Sequence, residues 1–121
     1  MAMREYKTLT NRILYTLAMD ALDLMDTENL IPTGTIIREN PDQSLYAIRK
    51  ALKQLKDEGL IQSICVCYYG EDCEHRLIRG WRITDKARTT GIYADAKKDE
   101  MEIRREVFGS TFAGGKKNET D

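Results

Sequence analysis

Three stretches of the chain repeat their apolar residues at the spacing of an α-helix. The first, residues 11–26, has a stripe wide enough to predict a central and mostly buried helix. Thr8 and Thr10 are both candidate N-caps for it, and an alternative explanation of its wide stripe is contact with a second subunit. The second stretch predicts a short helix over residues 34–39, capped by Thr33.

The third stretch has the clearest periodicity in the chain. Its apolar residues recur at i, i+3, i+7 and i+10, which predicts one buried stripe along a helix capped by Ser44. Gly59 stands where a C-capping residue with a left-handed backbone belongs, so the helix should end there. The residues of the predicted stripe are Leu45, Ile48, Leu52 and Leu55.

After Gly59 the pattern changes to one typical of β-strands. Residues 60–69 are rich in β-branched and aromatic side chains, and a second strand over residues 75–83 returns after a polar turn. Thr84 is the candidate cap of a last helix, which Gly91 should break or make irregular.

This order of elements predicts an α+β fold of the winged-helix class. A three-helix core would contain a helix-turn-helix, the two strands would form a two-stranded β-hairpin wing, and a C-terminal helix would follow. The predicted domain spans residues 8–108. Residues 109–121 are polar and glycine-rich, which predicts a disordered C-terminal tail.

Two segments of the chain carry a family resemblance. The first is IPTGTIIRENPDQSLYAIRKALKQLKDEGLI, residues 31–61, and the second is WRITDKA, residues 81–87. The matching elements in the first segment are Ser44, IRKAL over residues 48–52, Leu55 and EGLI over residues 58–61. These segments resemble the helix-turn-helix and the end of the second wing strand of bacterial winged-helix regulators of the GntR and MarR/PadR type. The resemblance covers roughly residues 10–90 and implies DNA binding.

Two features depart from the pattern of those regulators. Leu45 stands where regulators of the GntR type usually carry a basic residue just after the serine. The predicted hairpin tip carries Glu71, Asp72 and Glu74. Because negative charge there would repel DNA phosphates, the wing is not expected to clamp a minor groove.

Charge is distributed unevenly along a chain that is almost neutral overall. With 19 basic and 20 acidic residues the formal net charge is −1, so overall basicity gives no argument for nucleic-acid binding. Residues 20–28 carry only acidic charges, whereas residues 49–56 carry only basic ones. The basic segment falls on the third predicted helix, which indicates a polarised surface.

The third helix supplies the candidate DNA contacts, because the second helix of a helix-turn-helix enters the major groove. Arg49 suits bidentate contact with a guanine edge, and the three lysines suit phosphate contact, which sets affinity without reading sequence. Gln43 and Tyr46 could reach a base or a phosphate, and backbone amides at the Ser44 end could hold another phosphate. The alternative is that these lysines form an ordinary solvated helix face. The outward candidates on the helix are Tyr46, Arg49, Lys50, Lys53 and Lys56.

Arginines on the second strand are weaker candidates for DNA contact. Alternation along the strand puts Arg76 and Arg82 on one face and Arg79 on the other, together with Trp81. Arg79 is therefore a candidate for stacking on the indole instead of touching a phosphate.

The predicted hairpin also carries four residues of the types that bind zinc. Cys65, Cys67, Cys73 and His75 follow the spacing C-x-C-x5-C-x-H. If residues 68–72 form a five-residue loop, Cys67 faces Cys73 and Cys65 faces His75 on one side, whereas a four-residue loop removes the site. The plainer alternative is that Cys65 and Cys67 pack as small apolar side chains.

The sequence contains no arrangement typical of an enzyme. His75 has no nucleophile motif around it, and FAGGKK near the C-terminal end lacks the spacing of a phosphate-binding loop. No signal peptide or membrane-spanning run is predicted, so a cytoplasmic protein is expected.

The predicted function is sequence-specific binding of double-stranded DNA, as a transcription regulator or a mobile-element accessory factor. One alternative is a winged-helix protein–protein adaptor without DNA binding, and another is a metal- or thiol-responsive regulator through the wing cysteines. No cofactor is expected other than zinc at those cysteines. The last helix is the candidate homodimer contact, unless it covers the first helix instead. Its apolar side is Ile92, Ala96, Ile103 and Val107.

Overall fold

The structure, a computed structural model, describes residues 5–23, 30–69 and 75–107. These residues form an α+β fold with four α-helices and one two-stranded antiparallel hairpin, which is compatible with the predicted winged-helix arrangement. The predicted tail and the acidic hairpin tip lie outside the described residues. The elements are α1 (Leu9–Leu22), α2 (Thr33–Glu39), α3 (Leu45–Asp57), β1 (Ile61–Tyr69), β2 (His75–Ile83) and α4 (Gly91–Val107).

α1 begins where one of the two candidate caps places it and ends earlier than predicted. The Thr8 hydroxyl accepts a hydrogen bond from the Asn11 amide at 3.3 Å, which identifies Thr8 as the N-cap. At the other end Asp23 has an extended backbone, and its amide bonds to the Asp20 carbonyl. The prediction that the helix continues to residue 26 is therefore wrong.

α2 begins one residue earlier than predicted, and its first residue does not cap it. Pro32 occupies the N-cap position, and no side chain caps the helix. The Thr33 hydroxyl instead accepts a hydrogen bond from the Trp81 indole at 2.9 Å. Thr33 as the cap was a wrong prediction, because a long-range partner uses the hydroxyl.

α3 has the predicted ends and most of the predicted stripe. The Ser44 hydroxyl accepts a hydrogen bond from the Ala47 amide at 3.1 Å, and Gly59 has φ +76°. Leu45, however, is 46% exposed. It lies in the first turn of α3, only about 20° around the helix from the buried Leu52, so its exposure depends on its position along the helix and not on the side that it faces. The buried stripe is Ile48, Leu52 and Leu55.

The core lies between α1, α3 and the end of the hairpin that is nearest to these helices. The hairpin register pairs Ile61 with Ile83 at this end and continues to Tyr69 with His75. Both isoleucines are buried, so the paired strand ends are fixed by packing against the helices. The fully buried large side chains include Ile13, Leu17, Ile36, Ile48 and Ile61.

A feature that was not predicted is a third extended segment beside β2. The backbones of Ile31 and Trp81 exchange two hydrogen bonds, each 2.9 Å long, as an antiparallel bridge. Gly80 allows this approach, because a Cβ there would lie 2.5 Å from Leu30 Cδ1 and 2.8 Å from the Ile31 carbonyl oxygen. β2 is therefore held between β1 and the chain that leads into α2.

The last helix is interrupted near Gly91, as predicted. A short 3₁₀-helix, Lys86–Thr89, follows β2, and the Thr90 hydroxyl then accepts a hydrogen bond from the Tyr93 amide at the start of α4. The Thr84 hydroxyl accepts from the Ala87 amide at 3.4 Å, before the 3₁₀-helix whose N-cap is Asp85, so Thr84 does not cap α4 and that prediction is wrong.

α4 packs along α1, so the last helix covers the first helix, as one of the two alternatives for it proposed. Ala96 is completely buried, and Tyr15 of α1 donates a 2.6 Å hydrogen bond to Asp99. Val107 is 58% exposed. A homodimer through the remaining surface of α4 stays a prediction. None of the helices in the described ranges has the length and apolar character needed to span a bilayer.

Candidate nucleic-acid interface

The outward face of α3 presents the side chains that the sequence singles out. Ser44 lies at the exposed start of the helix, and Gln43 just before it is half-buried. Tyr46 is 73% exposed. The exposed side chains along the helix are Tyr46, Arg49, Lys50, Lys53 and Lys56. The structure therefore brings all the predicted contact residues of α3 to one side of the domain.

One of these cations has an acidic partner on the same helix. Lys53 Nζ lies 2.8 Å from Asp57 Oδ2, and both side chains are well exposed. A surface pair four residues apart on a helix contributes about 0.3–0.5 kcal/mol, so it is easily exchanged for another anion. Ion pairs from Lys50 or Lys53 to Asp20 or Asp23 would have covered this face. The ion pairs among the described residues include none of these.

A cleft runs along one edge of this face, and we call it the basic cleft. The Trp81 indole forms one wall, held by its hydrogen bond to Thr33 Oγ1 at 2.9 Å. The cleft is open to solvent and carries three positive charges. Its lining residues are Thr33, Arg49, Leu52, Lys53, Lys56 and Trp81. Sequence patterns did not predict this cleft, because Thr33 and Lys56 lie 48 and 25 positions from Trp81 and meet it only in the folded chain.

Comparison with known proteins identifies no family for this chain. The sequence matches no protein-family model and no curated protein. The likeness to GntR and MarR/PadR regulators consequently remains a resemblance carried by the motifs in residues 31–61 and 81–87. Any assignment of function depends on the surface chemistry of α3 and the hairpin.

The start of α3 also carries an acidic group. The Gln43 amide donates a 3.1 Å hydrogen bond to Asp42 Oδ2, and Arg12 of α1 lies 3.6 Å from the same oxygen. The hydrogen bond from Gln43, followed by a backbone hydrogen bond and the Arg12 charge, holds the pKa of Asp42 below its ordinary value. A carboxylate therefore persists beside the N-terminal end of α3, and Gln43 is engaged with it.

Arg79 does not stack on Trp81. The register puts both residues on one face of the hairpin, as alternation predicts. Arg79 is exposed, and the cation–π contact found among the described residues is Arg88 over Tyr93, with 5.5 Å between the guanidinium carbon and the ring centroid. The stacking prediction is therefore wrong, and Arg79 presents its charge to solvent on the same face as the indole.

The hairpin register also tests the arrangement in which the cysteines and His75 face one another. Cys67 lies opposite Leu77 and Cys65 lies opposite Arg79, because Tyr69 pairs with His75. A loop over residues 68–72 is excluded, because Tyr68 and Tyr69 belong to β1. The alternative in which Cys65 faces His75 and Cys67 faces Cys73, which depended on that loop, is therefore wrong.

Cys65 and Cys67 are both exposed, so they do not pack as small apolar side chains either. Cys73 lies outside the described residues. Within residues 5–23, 30–69 and 75–107 no group of three or more His, Cys, Asp or Glu is arranged to hold a metal ion. Zinc binding that includes Cys73 stays a prediction.

Proposed function

We propose that this protein binds double-stranded DNA as a winged helix, with α3 entering the major groove. The observation that carries the proposal is the exposed basic face of α3. Arg49, Lys50, Lys53 and Lys56 project from it, and within the described part of the chain their one acidic partner is the exposed Asp57, which pairs with Lys53. Because the chain as a whole has net charge −1, this concentration of positive charge on one helix face is a specific feature of the surface.

The arrangement of neighbouring elements supports a helix-turn-helix reading of α2 and α3. A short turn separates α2, which has seven residues, from α3, which has 13, and Ser44 caps α3. The extended bridge of Ile31 with Trp81 precedes α2, and the hairpin follows α3 directly. The chain thus runs through α1, the bridged segment at Ile31, α2, α3 and then the hairpin. This order suits a winged helix.

The roles of individual side chains follow from their chemistry. The Arg49 guanidinium, near the middle of α3, suits bidentate hydrogen bonding to a guanine edge. Lys50, Lys53 and Lys56 suit phosphate contacts on either side of a groove. Arg79 on the hairpin extends the positive surface beyond the basic cleft, and Tyr46 supplies a ring and a hydroxyl at the start of the helix.

The proposal is tested by fluorescence anisotropy of a labelled random-sequence duplex titrated with the protein at 50 and 200 mM salt. Neutralisation of three or four phosphates should weaken binding about 40- to 150-fold across this range. The double variant Lys50→Glu/Lys53→Glu reverses two charges on an exposed surface and should lose most of the affinity at 50 mM salt. A duplex that fails to bind wild-type protein at 50 mM salt would refute DNA binding.

A second candidate function is protein–protein adaptation through the same face. It is favoured by the exposure of Leu45, 46%, and Tyr46, 73%, at the start of α3. Aromatic side chains are enriched at the centres of protein interfaces, and the nearby Asp42 carboxylate is unfavourable for phosphate. Absence of DNA binding at 50 mM salt, together with an intact fold, would favour this adaptor.

A further inference from the structure

Two thiols lie exposed on one face of β1. Cys65 and Cys67 are two residues apart, so their side chains leave the strand on the same side. Their cross-strand neighbours, Arg79 and Leu77, are also exposed, Leu77 to 64%. We call these four residues the thiol face.

The thiol face continues the basic cleft along the hairpin. Trp81, which forms a wall of the cleft, lies on the same side of the hairpin and pairs with Ser63. Cys65 is the next residue of β1 on that side, opposite Arg79. A duplex seated against α3 and the indole would therefore have Arg79 and the two thiols as the adjoining protein surface.

We propose that Cys65 and Cys67 are a modification site, at which mixed-disulfide formation with an anionic low-molecular-weight thiol weakens DNA binding through its charge. This inference rests on the proposed DNA binding and adds a regulatory input to it. Each carboxylate attached at the thiol face would lie beside the basic cleft and repel the phosphates. An adduct on Cys65 would also lie opposite Arg79 and compete with phosphate for its charge.

The reaction is a thiol–disulfide exchange with a small disulfide, RS–SR, whose R groups carry carboxylates. The Cys65 thiolate, its proton having gone to solvent, attacks one sulfur of RS–SR. A bond forms between Cys65 Sγ and that sulfur, the original S–S bond breaks, and RS⁻ leaves with the electron pair. The cysteine is oxidised and one half of the small disulfide is reduced, so excess thiol reverses the step.

Strand geometry disfavours an internal disulfide between the two cysteines. Residues two apart on one strand are separated by about 6.6 Å between Cα atoms, at the upper limit for a disulfide of about 6.8 Å. Their side chains also leave the strand in parallel directions, which keeps the two sulfur atoms apart. An external thiol is therefore the better partner for each cysteine.

The experiment compares two adducts of equal length and opposite charge. Full-length protein carrying Cys73→Ser is treated with the disulfide of 3-mercaptopropionate, which adds a carboxylate, or with cystamine, which adds an ammonium group. Mass spectrometry counts the adducts, circular dichroism checks the fold, and duplex affinity at 100 mM salt is compared with the same variant left unmodified. A variant in which Cys65, Cys67 and Cys73 are all serine receives the same reagents and should show no response.

We expect the carboxylate adduct to bind DNA on the order of tenfold to a hundredfold more weakly, and excess reductant to restore the affinity. The ammonium adduct should bind at least as tightly as the unmodified protein. Equal affinities of both adducts, whether unchanged or equally reduced, would overturn the proposal, because charge at the thiol face would then not matter. Unmodified protein that does not bind DNA would instead refute the proposed function, and the regulation with it.

Discussion

Trp81 donates its indole N–H to the hydroxyl of Thr33, across 2.9 Å, and so joins the hairpin to the first residue of α2. The backbone of Trp81 also pairs with Ile31, two residues before α2 begins. These contacts fix the base of the hairpin against the segment that leads into α2. The position of the basic cleft beside α3 therefore depends on two interactions of Trp81, one through its side chain and one through its backbone.

Replacement of Gly80 by alanine should destabilise the fold. The added Cβ would lie 2.5 Å from Leu30 Cδ1 and 2.8 Å from the Ile31 carbonyl oxygen, so the bridge to Trp81 would have to move. We expect Gly80→Ala to lower the free energy of unfolding by about 1–3 kcal/mol, measured by urea denaturation. Gly34→Ala is the matched control, because a Cβ there meets nothing within 4 Å. Equal stability of the two variants would contradict the close approach.

Loss of the Tyr15 hydroxyl should weaken the contact between α1 and α4. Tyr15 is 5% exposed and donates a 2.6 Å hydrogen bond to Asp99, which is 4% exposed. Removing a donor from a buried carboxylate costs about 1–3 kcal/mol, and we expect Tyr15→Phe to lower the free energy of unfolding by that amount. Tyr46→Phe, at a 73% exposed position, should change it by less than about 0.5 kcal/mol. Urea denaturation distinguishes the two, and similar losses in both variants would argue against the buried hydrogen bond.

Arg49→Ala and Lys53→Ala should affect DNA binding in different ways. If Arg49 reads a base, its loss should weaken binding to a selected operator by about 1–3 kcal/mol more than binding to random sequence. Lys53 contacts phosphate in the proposed complex, so its loss should weaken both alike and lower the salt dependence by about one phosphate. Anisotropy titrations with operator and random duplexes measure both effects. Equal losses for both duplexes with Arg49→Ala would remove its base-reading role.

Glu39 should give the protein a pH-dependent loss of stability on the acidic side of neutrality. Partial burial raises the pKa of Glu39 above its ordinary value, and the neighbouring Arg38 opposes this only in part. The folded state therefore binds the proton more tightly than the unfolded state, so stability falls as the pH rises from the ordinary glutamate pKa through the raised value. Glu39→Gln cannot ionise, and its stability relative to wild type should increase across that window.

The measurement is urea denaturation of wild type and Glu39→Gln at pH 4 and pH 7. Asp42, whose pKa is lowered, is present in both proteins, so its contribution cancels in the difference. Glu106→Gln in α4 is the matched control for the same substitution at another exposed glutamate. A stability difference for Glu39→Gln that decreases from pH 4 to pH 7 would have the wrong sign.

Local chemistry accounts for the parts of the fold and site that the sequence predicts well. The Ser44 cap and the left-handed Gly59 depend on hydrogen bonds and backbone angles within a few residues. The second strand has the predicted bounds, His75–Ile83. The exposed basic face of α3 likewise follows from helical periodicity, which needs only the spacing of residues on one element.

Periodicity was insufficient wherever a second element decides the outcome. Leu45 continues the apolar spacing of α3 but is exposed, because burial depends on whether another element covers the first turn. Thr33 has the chemistry of a helix cap but bonds to an indole 48 positions away in the chain. Cys67 lies opposite Leu77 because the strands are aligned by the buried pair Ile61 and Ile83.

By itself the sequence determined the order of helices and strands, the caps around α3 and the basic residues that project from it, since each depends on neighbours along the chain. Only the tertiary structure decided that Trp81 lies beside those cations and that Cys65 and Arg79 share the adjoining face. The physical reason is that strand register and helix packing are set by which apolar side chains can be buried together. That requirement couples residues far apart in sequence, and no local pattern specifies it.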